Sequence, residues 1–239
     1  MRTSVRETVR EIGFLITFFR AVPPVPPLMT ATFGFLTMTG VVMLCVDPRR
    51  VERAVVPLVL LQIFASSCGF AGPARRGYYD VLLTHGAGRL VVAVVQWVVA
   101  VASGVASWLV LGAAELLALG DGRILTAGTG AAMFLASVLP WALTAALPRF
   151  AGAVGWLLAG SMAVPTMLLP GQGWPSPGIW TSWPLSALAS LLFPVSLVGR
   201  HLDESLLREA VPALGLAAGA MGVALLWVVR ADFRLETGQ

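Results

Sequence analysis

Residues 54–92 read AVVPLVLLQIFASSCGFAGPARRGYYDVLLTHGAGRLVV. Two apolar stretches enclose a polar interval that carries Arg75, Arg76, Asp80, His85 and Arg89. That is the pattern of a chain that leaves a bilayer, turns in water and goes back in. Within the interval, GYYDVLLTHG (77–86) predicts a short helix lying across the membrane surface. Tyr78, Tyr79, Val81, Leu82 and Leu83 offer it a packing face, and the charges beside them offer ion pairs. A turn of this size gives another protein a hold from the aqueous side.

The rest of the chain agrees with a membrane origin. Of its 239 residues, 57% are hydrophobic and only 12% charged, with a mean hydropathy of +0.84. A soluble domain carries about twice that share of charge. All 16 basic residues are arginine and none is lysine, a bias that points to a GC-rich genome rather than to a mechanism. The net charge of +4 is spread over membrane-flanking loops, which speaks against nucleic-acid binding.

Six apolar runs are long enough to cross a bilayer, which takes about 20 residues each. They cover residues 27–46, 54–71, 90–119, 124–147, 151–169 and 211–229. Each must be helical, because unpaired backbone is too costly in lipid. The fold class predicted is an all-α integral membrane protein with six transmembrane helices, forming one transmembrane domain over residues 1–239.

Arginines orient the spans. With a cytosolic N terminus, Arg2, Arg6, Arg10, Arg20, Arg75, Arg76, Arg89, Arg149, Arg230 and Arg234 share one face. Arg49, Arg50, Arg53, Arg123, Arg200 and Arg208 share the other. The larger group marks the cytosol, so both termini and the 73–89 loop are expected there.

Two flanking segments complete the layout. Residues 1–20 do not read as a signal peptide, because the uncharged core at 12–19 is short and Arg20 and a proline cluster stop it. Val5, Val9, Ile12, Ile16 and Phe19 instead recur at helical spacing, with Arg2, Arg6 and Arg10 every fourth residue. This predicts an interfacial amphipathic helix with its arginines at anionic head groups. Residues 170–198, PGQGWPSPGIWTSWPLSALASLLFPVSLV, are too apolar for a solvated loop, yet five prolines interrupt them. Trp174, Trp180 and Trp183 suit the membrane interface. Two short helices that dip into the outer leaflet and return would account for the segment, since 185–198 is short for a crossing.

This layout resembles the permease subunits of ABC type-2 exporters. The local sequence FASSCGFAGPARRGYYDVLLTHGAGRLVVAVVQW (64–97) is similar to that family's stretch. There a small-residue helix end is followed by a charged residue, a glycine, a helix ending in two leucines, and a basic residue opening the third span. Arg76, Gly77, Leu82, Leu83 and Arg89 sit at the matching places. The chain departs from the pattern with Arg76 in place of the usual glutamate, and with His85 and Gly86 where proline is common.

The resemblance implies a division of labour. Such permeases pair around a central pathway and are powered by a separate cytosolic ATPase, with ATP bound there and no cofactor on the permease. The implied partners are that ATPase, a second permease chain (identical or related) and the lipid of a bacterial cytoplasmic membrane. The chain's lack of lysine rules out a Walker-type GxxxxGK[ST] loop of its own. The ATPase-coupling residues implied are Arg75, Arg76, Gly77, Tyr78, Tyr79, Asp80, Leu82, Leu83 and His85.

Catalytic readings find little support in the residues. His85 and His201 are the only histidines, no HExxH is present, and no aspartate lies within a span. Cys45 and Cys68 fall near opposite ends of their spans, which disfavours a disulfide between them. Polar residues at membrane depth usually face the protein interior. Gln62, Ser66, Gln96 and Ser103 are therefore the pathway or interface candidates, with helix packing as the competing explanation. A pathway so poor in charge suits an amphipathic or lipid-like cargo. The alternative from another class is a non-transporting scaffold or assembly subunit, including a haem-export-type component.

Overall fold

In the computed structural model the residues described are 5–21, 27–46, 51–75, 82, 88–120, 122, 124–146, 153, 156, 157, 160, 190, 191 and 194–230. All regular structure among them is helical. In chain order it comprises α1 (Val5–Ala21), α2 (Pro27–Val46), α3 (Val51–Arg75), α4 (Arg89–Leu119), α5 (Ala127–Ala146), a 3-10 turn (Pro194–Leu197) and α6 (Glu204–Arg230). Four of these, α2, α4, α5 and α6, are long and apolar enough to cross a membrane. In α3 the described apolar part, Val55–Cys68, is shorter.

The boundaries follow local chemistry. Pro27 opens α2, where its missing N–H costs nothing. At the far end of α4, Gly120 adopts φ +70° and donates its N–H to Leu116 O, a left-handed stop that glycine makes without strain. Thr126 caps α5: its hydroxyl accepts the Thr129 N–H at 3.3 Å. Asp203 caps α6 by accepting the Leu206 N–H at 2.6 Å. The sequence placed the sixth span at 211–229, and the helix begins earlier, at Glu204, because that cap sets its start. The third expected span is one helix of 31 residues, about 46 Å at 1.5 Å per residue, so it exceeds a hydrocarbon core of about 30 Å.

α5 is the hub. It packs on α3 along one side and on α6 along the other, and most of its residues are buried. α5 and α6 run parallel. The Gly128 N–H at the start of α5 donates to Arg200 O just before α6, and Trp141 shares a cluster with Ala224 and Val228 near the end of α6. α4 runs the opposite way, since its first residues Val92 and Ala93 join that same cluster. The bundle therefore has a Gly88 end and a Gly128 end.

Its interior falls into two apolar cores. The larger draws on α2, α3, the middle of α4, the first part of α5, the 3-10 turn and the first part of α6. The smaller is built from α1, Leu82 and the Gly88-end portions of α4, α5 and α6. The amphipathic reading of α1 is met with a rotation of its buried face. Leu15 and Phe19 are buried in the smaller core, while Val9 and Ile16 of the predicted stripe remain exposed. The fifth expected span (151–169) and the outer segment (170–198) lie mostly outside the described residues. Ala153, Trp156, Leu157 and Gly160 within the former are helical.

Candidate functional site

The Gly88 end is where the loop of 73–89 meets the bundle. Arg75 closes α3. Arg76, Gly77, Tyr78, Tyr79, Asp80, Leu83 and His85 lie outside the described residues. Leu82 is described, and it is helical and only 1% exposed. It sits with Leu15 and Phe19 of α1, Val92 and Val95 of α4, and Trp141 of α5. Leu82 thus anchors the loop to its own chain.

Two charged side chains tie helix ends together beside that anchor. Glu11 of α1 accepts the N–H of Gly88, the residue that precedes α4. A carboxylate there meets the positive end of a long helix. Arg89, the first residue of α4, donates to Val229 O at 3.2 Å, at the negative end of α6. α1, α4 and α6 are joined in this way within one turn of the loop. Sequence reasoning found Arg89 but missed Glu11, one of two carboxylates (with Glu7) on a helix read from its arginines and apolar residues.

The polar residues expected to line a pathway lie inside the single chain. Gln62, Ser66 and Gln96 are each 0% exposed, and Ser103 is half-buried. The Gln62 amide donates to Ser66 Oγ at 2.9 Å, while its Oε1 has no hydrogen-bond partner. Across from it stands Gly104 of α4, where an added Cβ would lie 1.8 Å from Oε1 and 3.3 Å from the Met133 methyl. Gly104 is what lets α3 approach α4 over the glutamine. These contacts favour packing between α3, α4 and α5 as the role of Gln62 and Ser66.

At the Gly128 end the helices are stitched by hydroxyls and backbone. Thr126 and Thr129 share a hydrogen bond of 2.9 Å, and Thr129 Oγ1 accepts the Gly199 N–H at 3.0 Å. An added Cβ at Gly128 would stand 2.1 Å from Leu197 O and 2.9 Å from Arg200 O, so backbone meets backbone there. Arg200 reaches on to Glu209 and Ser205 of α6. The Asp203 carboxyl is held below its ordinary value of 3.8, first by the Leu206 N–H, then by the Ser205 hydroxyl and the Arg200 charge. Glu115, fully buried, accepts the Ile124 N–H at 2.7 Å, and Trp108 donates to Ile124 O at 2.9 Å. Together they close the turn between α4 and α5. In the sequence Glu115 is a lone carboxylate near the end of an apolar run, with nothing local to show that it folds back on Ile124.

Among the described residues no three histidine, cysteine, aspartate or glutamate side chains come together as a metal site. Neither Cys45 nor Cys68 is in a disulfide. No protein-family model, curated protein or solved structure matches this chain.

Proposed function

We propose that this chain is the membrane-spanning permease subunit of an ATP-driven exporter of the ABC type-2 kind. It works as a pair, in a bacterial cytoplasmic membrane, and takes its power from a separate cytosolic ATPase that grips residues 75–85. The observation that carries this reading is the mooring of the loop. Leu82 is seated in the core shared by α1, α4, α5 and α6, and Gly88 is held by Glu11. A push on the loop from outside the bundle reaches three long helices at once. The parallel run of α5 and α6 supports an odd number of crossings between them, in keeping with one span plus a re-entrant segment. The thin polar inventory of the spans supports an amphipathic or lipid-like cargo over an ion.

The test is purification of the chain in mild detergent with identification of what accompanies it. Recovery of an ATPase is the expected result. Replacing Tyr78 and Tyr79 together by serine should weaken that association by roughly tenfold, the loss of about 1.4 kcal/mol of contact. Leu82 is unsuitable for this purpose, because its loss would damage the chain's own core. Undiminished association in the tyrosine variant would refute the docking role of the loop. Absence of any ATPase with the wild-type chain would refute the permease reading and favour a scaffold.

A further inference from the structure

Among the described residues, α4, α5 and α6 contribute side chains to both cores, and in each helix the change from one core to the other comes within a short stretch. In α4, Val95 belongs to the smaller core and Ala100 to the larger. In α5 the change comes between Val138 and Trp141, and in α6 between Ala217 and Ala224. Trp97 and Met221 are packed against both cores. They mark the seam.

Two of the three helices are weakened within that stretch. Pro140 of α5 lies between Val138 and Trp141. It has no N–H to give Ala136 O, and its ring crowds that carbonyl, which bends a helix. Hydroxyls bracket it: Ser137 Oγ donates to Phe134 O at 2.7 Å, and Thr144 Oγ1 to Trp141 O at 3.0 Å. Such back-bonds favour bending. The Trp97 indole N–H donates to Ser137 O at 3.4 Å, so the residue on the seam also holds the backbone beside the proline. In α6 the seam contains Gly219 and Gly222, which lower local stiffness. Pro212 lies between Ala210 and Ala213, inside the larger core, where a bend would not part the two. α4 crosses the seam with neither proline nor glycine between Val95 and Ala100.

We propose that the chain is hinged at this seam: the smaller core, with α1 and Leu82, turns as a unit against the larger, bending at Pro140 and at Gly219 and Gly222 about an unbroken α4. The hinge rests on packing alone and needs no ATPase partner, so failure of the permease reading would leave it standing. The reverse also holds.

Spin-label distance measurements in lipid nanodiscs test it, on full-length chain with Cys45→Ser and Cys68→Ser. Exposed Val9 and Leu207, replaced by cysteine, form a pair across the seam. Val9 with Leu226 stays on one side of it, and Phe35 with Leu207 on the other. The cross-seam pair should give a broad or double-peaked distribution and the other two a narrow one. Pro140→Ala should shrink the cross-seam distribution to the width of the others. Trp97→Phe, which deletes only the indole N–H and part of the ring, should broaden it further. A native cross-seam width equal to the within-core widths overturns the hinge. So does a broad distribution that neither variant alters while the within-core distances show both variants folded.

Discussion

The two ends of the bundle are held by opposite means. At the Gly128 end, carbonyls, hydroxyls and a glycine bring backbone against backbone, and the bonds are directional. At the Gly88 end, Leu15, Phe19, Leu82 and Trp141 supply a core of large apolar side chains, with Glu11 and Arg89 at its rim. Hydrogen bonds weaken steeply when bent. Apolar contact has no preferred direction and scales with area. The first end is therefore fixed in register by directional bonds, and the second is held mainly by contact area. The loop that the proposed function assigns to a partner joins the apolar end.

The largest effect should come from emptying the apolar end. Trp141 is fully buried and is the bulkiest side chain of the smaller core. Trp141→Ala should cost about 4 kcal/mol, from lost transfer energy and the cavity left behind. Denaturant unfolding in detergent micelles measures it. A loss under about 1 kcal/mol would mean that the smaller core is already loose, and the contrast between the ends would have to be redrawn.

A smaller but sharper effect is expected at the stitched end. Gly128→Ala drives a methyl group into Leu197 O and Arg200 O, neither of which moves without the 3-10 turn. Overpacking of this sort costs about 3 kcal/mol at its upper end. Gly130→Ala, two residues along the same helix, meets only the Trp108 ring at 3.4 Å. It should be neutral or stabilising by up to about 1 kcal/mol, through better helix propensity. Equal behaviour of the two variants would contradict the close backbone approach on which the rigidity of this end rests.

The membrane class was legible because it depends on long apolar runs, and α2 occupies the residues expected for the first span. The start of α6 was not, because Asp203 is a single polar residue in a loop until its carboxylate is seen on the Leu206 N–H. α1 was found by period, yet its buried face was rotated. An amphipathic period tells only that a helix has an apolar side, and α1 has both a protein-facing and an outward apolar side. Leu82 was read as an outward anchor for the same reason: a leucine beside charges does not declare which protein covers it. Gln62 and Ser66 stood out as polar residues at depth, but their neighbours across α4 are set by helix rotation, which has no local signature. The seam between cores is wholly tertiary: Pro140 lies at it, but a proline inside an apolar run does not tell where two cores meet.

The smallest expected effect concerns Asp203, at the polar rim of the stitched end. Its carboxyl is held below 3.8 by the Leu206 N–H, Ser205 and Arg200. A lowered carboxyl contributes stability that is fully present above its unfolded value and is lost as pH falls through its folded value. The window for this loss therefore opens near 3.8 and extends below it. Asp203→Asn keeps a capping acceptor for Leu206 but removes the charge that faces Arg200 and the start of α6. Melting both forms in micelles between about pH 6 and about pH 2.5 isolates this group, because every other carboxyl is common to the two. Wild type should be the more stable above the window, and the gap should close as the acid form fills. The group is fully exposed, so salt near 1 M, where screening reaches about 3 Å, should also shrink the gap. A gap that ignores both pH and salt would show that the aspartate acts by shape alone, and the rim of the stitched end would then owe nothing to charge.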